Sequence, residues 1–125
     1  MLFDWNTYKD LAEELRQRDD EASKRSAVSR LYYSVYWNAR IFLEENQDYL
    51  YSENKEPHAQ IWHEFIRQGK IFKNIGENGK RLRNKRNSAD YEQEILRMED
   101  DLEVSFRWAN QILNDLDKLQ SQNKN

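Results

Sequence analysis

Apolar residues recur along most of this chain at the three- and four-residue steps of an α-helix, and nowhere as the strict alternation of a strand. Trp5, Tyr8, Leu11, Ala12 and Leu15 follow Asp4, a residue suited to cap them, and predict a first helix ending near Arg18. Asp19-Asp20 reads as a short acidic connection or as the acidic first turn of the next element. From about Glu21 to Glu45 the stripe Ala27, Val28, Leu31, Tyr32, Val35, Ala39, Phe42 and Leu43 predicts a long second helix needing several partners.

Residues 46–56 are polar, interrupted by Tyr49, Leu50 and Tyr51, and read as a loop whose aromatics are interface residues or anchors. Pro57 suits a first helical position, and the helix Pro57–Gln68 would bury Ile61, Trp62, Phe65 and Ile66. Gly69, Gly76 and Gly79 then punctuate a broken stretch in which Ile71, Phe72 and Ile75 form one apolar turn. The last helix is expected from Asp90, with Gln93 three residues on as a capping box. Its face reads Ile95, Met98, Leu102, Phe106, Ala109, Ile112, Leu113, Leu116 and Leu119. The expected fold is therefore all-α, an antiparallel up-and-down bundle of four main helices plus a short helical turn, with a single domain over 1–120 and a frayed tail at 121–125.

Composition sharpens this picture in three ways. With 38% hydrophobic against 34% charged residues the core is modest, and 13% aromatic residues supply much of its area. No cysteine means no disulfide, no thiolate nucleophile and no Cys-ligated zinc. No apolar run reaches the roughly 20 residues of a bilayer span. Met1-Leu2-Phe3-Asp4-Trp5 lacks the basic-then-apolar pattern of a signal peptide. The expectation is a soluble cytoplasmic protein without membrane association, metal or cofactor.

Charge concentrates in one place. Lys70, Lys73, Lys80, Arg81, Arg83, Lys85 and Arg86 face Glu77 alone over 17 residues, a local +6 in a chain of net charge -3. Such an excess points to one anion site, most plausibly for RNA, rather than to a solvated helix face. Metal-free RNA cleavage needs a base for the 2′-hydroxyl, an acid for the leaving 5′-oxygen and positive charge at the phosphate. Arg83 and Arg86 can give the last, aided by Lys80, Arg81 and Lys85, and Asn87 can orient a reacting group. Tyr91 can donate a proton but is a poor base at neutral pH.

His58 and His63 are five residues apart and project on different faces of one helix, so they are no metal pair. One could reach the basic segment across the bundle; the plainer reading, surface or capping histidines, is preferred. Arg30, Tyr33 and Trp37 share one side of the second helix. Either Arg30 and Tyr33 face the same groove as Arg86 and add phosphate and stacking contacts, or Arg30 locks the bundle by pairing with Asp90 or another carboxylate while Tyr33 packs. Asp90 and Tyr91 likewise read as a helix start or as orienting and chemical groups.

Ser29-Arg30-Leu31-Tyr32-Tyr33 on the second helix and Arg86-Asn87-Ser88-Ala89-Asp90-Tyr91 before the last together resemble the HEPN family of small helical proteins, over nearly the whole chain. The resemblance implies a bundle that dimerises, with RNA in the groove between protomers. It implies metal-independent ribonuclease chemistry through an Arg-x(4–6)-His motif, where Arg holds phosphate and His moves protons. It also implies toxin–antitoxin or defence biology, with a nucleotidyltransferase partner that in some members adds AMP to a Tyr near the motif. Arg86 and Asn87 match that motif, but Tyr91 stands five positions beyond Arg86 where His is expected. The expectation is an RNA-binding protein with a degenerate Arg-x4-Tyr motif that cleaves RNA or only holds it. The alternative is a non-catalytic dimeric interaction module that partners a nucleotidyltransferase or other protein.

Overall fold

The computed structural model describes residues 2–47, 49, 52 and 55–123. They form five helices packed against one another: α1 (Asn6–Leu15), α2 (Glu21–Asn46), α3 (Pro57–Gln68), α4 (Lys70–Tyr91) and α5 (Met98–Asn123). None is long and apolar enough to cross a membrane. Leu50 and Tyr51, read as loop residues, lie outside the described set.

Helix starts follow local chemistry. The Asp20 carboxylate accepts from the Ser23 backbone N–H at 2.9 Å and heads α2. Glu56 accepts from His58 and Ala59 at the head of α3, with Pro57 in the first turn. Asp4 accepts from the Asn6 backbone N–H at 2.9 Å, just ahead of α1. α1 ends at Leu15, and single turns carry the chain to Arg18. The α2 stripe is buried as its periodicity predicts, and Leu102, Phe106, Ala109, Ile112, Leu116 and Leu119 of α5 close over it.

The expectation of four main helices with a broken fourth segment is corrected. Residues 70–91 are one unbroken helix, and its glycines serve contact rather than interruption. A β-carbon on Gly76 would lie 2.6 Å from the Trp62 carbonyl oxygen, and one on Gly79 would enter the Trp62 indole. Both glycines, with Ile75 and Leu82, let α4 lie close on α3. The real joint is Gly69, the one residue between α3 and α4, at φ 74° and ψ -179°. That backbone conformation is open essentially to glycine alone.

The capping box at Asp90 is corrected as well. Asp90 and Tyr91 end α4, and α5 begins only at Met98. What ends α4 is Arg25 of α2. Its guanidinium donates to the carbonyls of Ala89 at 3.2 Å, Glu92 at 2.5 Å and Gln93 at 3.3 Å. Orphan carbonyls of the last turn are thus satisfied from another element. A Lys24–Glu99 ion pair joins α2 to the start of α5.

Candidate nucleic-acid interface

Winding residues 80–91 into a helix divides the basic run among three faces. Leu82, Arg86 and Ala89 point inward and are buried. Arg81 and Lys85 fall on the α5 side, where Lys85 meets Asp101 at 3.0 Å. Lys80, Arg83, Asn84, Asn87 and Tyr91 share the remaining face, where Arg83 meets Glu56 at 3.1 Å. Lys80 and Tyr91 are exposed there, and Arg83 and Asn87 are half-buried.

The fold therefore neutralises much of what looked unopposed along the chain. Glu77 lies near Lys73 and Arg81 at 3.8 and 3.9 Å, Glu56 takes Arg83, Asp101 takes Lys85, and Asp90 takes Arg86 at 3.7 Å. Two of these carboxylates come from outside the segment's own helix. Lys70 and Lys80 have no ion pair among the described residues.

Arg86 is the structural centre of the segment. Its side chain is 8% exposed, and its guanidinium lies over the Tyr32 ring at 5.2 Å and the Tyr33 ring at 5.4 Å. These are cation–π distances on the aromatic pair of α2. Its Nε and that of Arg83, one turn earlier, are buried without a hydrogen-bond partner among the described residues. Asp90, which holds the other end of Arg86, also accepts from Ser29 Oγ at 3.3 Å. The Ser29–Tyr33 face of α2 and the Arg86–Asp90 face of α4 thus meet along one seam, a shallow valley that the Arg86 side chain fills.

Arg30 does not join it by pairing with Asp90. It is exposed and lies over the Tyr8 ring of α1 at 4.9 Å. Trp37 stacks on Trp5 at 4.8 Å and carries Arg40 over its ring at 5.0 Å, so both residues pack toward α1. Nor does the structure bring Tyr91 to Arg86. Five helical positions put the two about 140° apart, and Tyr91 is 78% exposed.

The third wall is the start of α3, and His58 there is neither a surface nor a capping histidine but packs on Tyr32. Its Nδ1 is 2.6 Å from the Tyr32 hydroxyl, which accepts from the Trp62 indole N–H at 3.0 Å. The ring lies 4.4 Å from that of Tyr36 and edge-on to Tyr33 at 6.0 Å. Burial pushes the His58 imidazole down to about pH 4; Glu56 opposes the fall, and the Arg86 and Arg83 charges add to it. Burial also raises the Tyr32 phenol well above its ordinary value, against the indole hydrogen bond and the same two arginines. Burial pushes Glu56 upward, but the Ala59 and His58 N–H groups and Arg83 outweigh it and hold its carboxyl below the usual range. A signal for this cluster existed in the sequence: Tyr32 on a buried stripe needs a partner for its hydroxyl. His63 is exposed and lines a cleft of about 330 Å³ with Lys80 and Arg83.

Chemically, the valley offers two guanidinium charges and a neutral imidazole. Its two carboxylates, Glu56 and Asp90, are both engaged, by Arg83 and by Arg86 and Ser29. Among the described residues no group of three or more His, Asp or Glu is gathered as a metal site. No family model, curated protein or solved structure matches the chain.

Proposed function

We propose that this chain is a HEPN-like, RNA-associated protein of toxin–antitoxin or defence type, an antiparallel bundle working as a homodimer, that holds RNA by its phosphates along the α4 face. The observation that carries the reading is the Arg83–Arg86 pair. Two guanidinium groups one turn apart, each with a buried, unpartnered Nε, form the wall of a valley that also contains a histidine. Arg83 and Lys80 are the direct phosphate contacts, Asn87 adds a donor, and the buried Arg86 supplies charge from behind. Holding RNA is favoured over cutting it. Tyr91 faces away from Arg86, and His58 is kept neutral and engaged by Tyr32.

The test is RNA affinity as a function of salt. Each phosphate contact on a single strand contributes a slope of about 0.7 in log K against log salt. Wild type should bind a labelled oligoribonucleotide at low salt, and Arg83→Ala should lose affinity and about one contact's worth of slope. No affinity at low salt would remove the reading.

The second reading, a dimeric interaction module that partners a nucleotidyltransferase, draws on a different observation. Tyr91 at 78% and Leu96 at 86% exposure stand close along the chain at the α4–α5 connection, and paired carboxylates deplete the charge left for a polyanion. On this reading Tyr91 is the free hydroxyl that a transferase would modify. An AMP-sized mass increase on Tyr91, absent in Tyr91→Phe, is its signature.

A further inference from the structure

His58 has two ring nitrogens, and the fold has committed only one. The Tyr32 hydroxyl accepts from Trp62, and His58 Nδ1 is the one acceptor within reach of its own proton among the described residues, which makes Nδ1 the acceptor of that bond. The neutral ring must then carry its proton on Nε2. Nε2 has no partner among the described residues and is not sealed from solvent.

The surroundings of that N–H are set by the two helices that pack on α3. From α2 come Tyr32, Tyr33, Tyr36 and the Arg40–Glu44 ion pair; from α4 come Arg83 and the Arg86–Asp90 pair; Glu56 stands at the cap of α3. Arg83 is tied to Glu56, whose carboxylate caps the backbone N–H of His58 itself. The exposed edge of the imidazole and the Arg83 guanidinium are therefore held at the same end of α3. Each of the three arginines has a carboxylate partner, Glu44, Glu56 and Asp90, so what the site offers an anion is donated N–H groups, the imidazole's and the unpartnered Arg83 Nε–H, rather than excess charge.

We propose that His58 is a ligand of the valley, donating Nε2–H as an uncharged hydrogen bond to a non-bridging phosphate oxygen of RNA beside Arg83, with Tyr32 as the positioning residue that keeps the proton on Nε2. The assignment rests on the RNA reading above. It differs from a phosphate-binding histidinium in one measurable respect: a neutral donor displaces no counterion, so it adds affinity without adding salt dependence.

The experiment measures anisotropy of a labelled oligouridylate with the full chain across a salt series. His58→Ala should bind about tenfold more weakly with an unchanged salt slope, while Arg83→Ala loses both affinity and slope. His58→Gln, which places an amide N–H at similar reach, should recover most of the loss. Because His58→Ala also strips a partner from Tyr32, imidazole nitrogen NMR of wild type provides a second reading. It should show the Nε2–H tautomer from pH 6 to 8 and a shifted Nε2 on saturation with RNA. Wild-type affinity in His58→Ala, a slope that falls as in Arg83→Ala, or an Nε2 signal unmoved by RNA would overturn this assignment and leave RNA binding standing. Failure of wild type to bind RNA at low salt would remove both.

Discussion

Gly79 of α4 lies against the indole of Trp62 so closely that a β-carbon there would enter the ring. Trp62 is fully buried and its N–H is tied to Tyr32, so the ring has nowhere to retreat. Helix propensity alone favours Ala over Gly by about 1 kcal/mol. The clash should reverse that. Gly79→Ala is expected to destabilise the protein by about 2 kcal/mol in chemical denaturation; a gain in stability would contradict the packing.

Arg25 ends α4 by three carbonyl contacts while pairing with Glu21 at 3.0 Å. Arg25→Ala should cost about 2 kcal/mol. Hydrogen exchange should localise the effect, with amides in the last turn of α4 losing protection before those of α2. Arg25→Lys should not restore it, since one ammonium cannot span three carbonyls.

His58 gives the stability a defined acid limb. Its folded value is about 4, against an ordinary value of 6.5. Between those values the unfolded chain binds more protons, so stability should be complete above pH 6.5 and fall as pH drops toward 4. The shift corresponds to about 3 kcal/mol, reduced to about 2 because the ring keeps solvent contact. Denaturation at pH 7 and pH 4.5 should show a smaller difference in His58→Gln than in wild type; equal differences would refute the assignment.

Arg86 is a buried cation whose ion pair with Asp90 is long, at 3.7 Å. Removing Asp90 alone should cost about 2 kcal/mol, because the charge is left behind. Arg86→Met removes the charge and the unpartnered Nε together, and should leave stability within about 1 kcal/mol of wild type. RNA affinity should fall in Arg86→Met, separating the functional role of the residue from its packing.

Much of this fold was legible because its signals are local. Eight stripe positions from Ala27 to Leu43 repeat at helical spacing, and all eight are buried. Pro57 marks the start of α3 by a property of its own ring. α4 was misread because glycine has two meanings: a break in a helix, or room for a neighbour. Only Trp62, on another helix, decides between them. Asp90 followed by Gln93 imitates a helix start, while the true end of α4 is imposed by Arg25, some 64 positions from Ala89.

The site divides along the same line. Arg83 and Arg86 stand out as charge in the sequence, but their carboxylate partners Glu56 and Asp90 and the aromatic bed of Arg86 depend on packing. Counting along the chain gave an excess of +6; counting in space gives far less. His58 was passed over because a helical projection of α3 says which way it points and nothing about Tyr32, 26 positions earlier, waiting for it.

Gly69 has a reach far beyond its own position. His58 and Arg83 ride on separate rigid rods that meet at this one residue, so its torsion angles act as the setting screw of the valley's width. An alanine there would leave every group in the valley chemically intact and aim the two rods differently. The geometry of the proposed RNA surface is therefore hostage to a residue that carries no side chain.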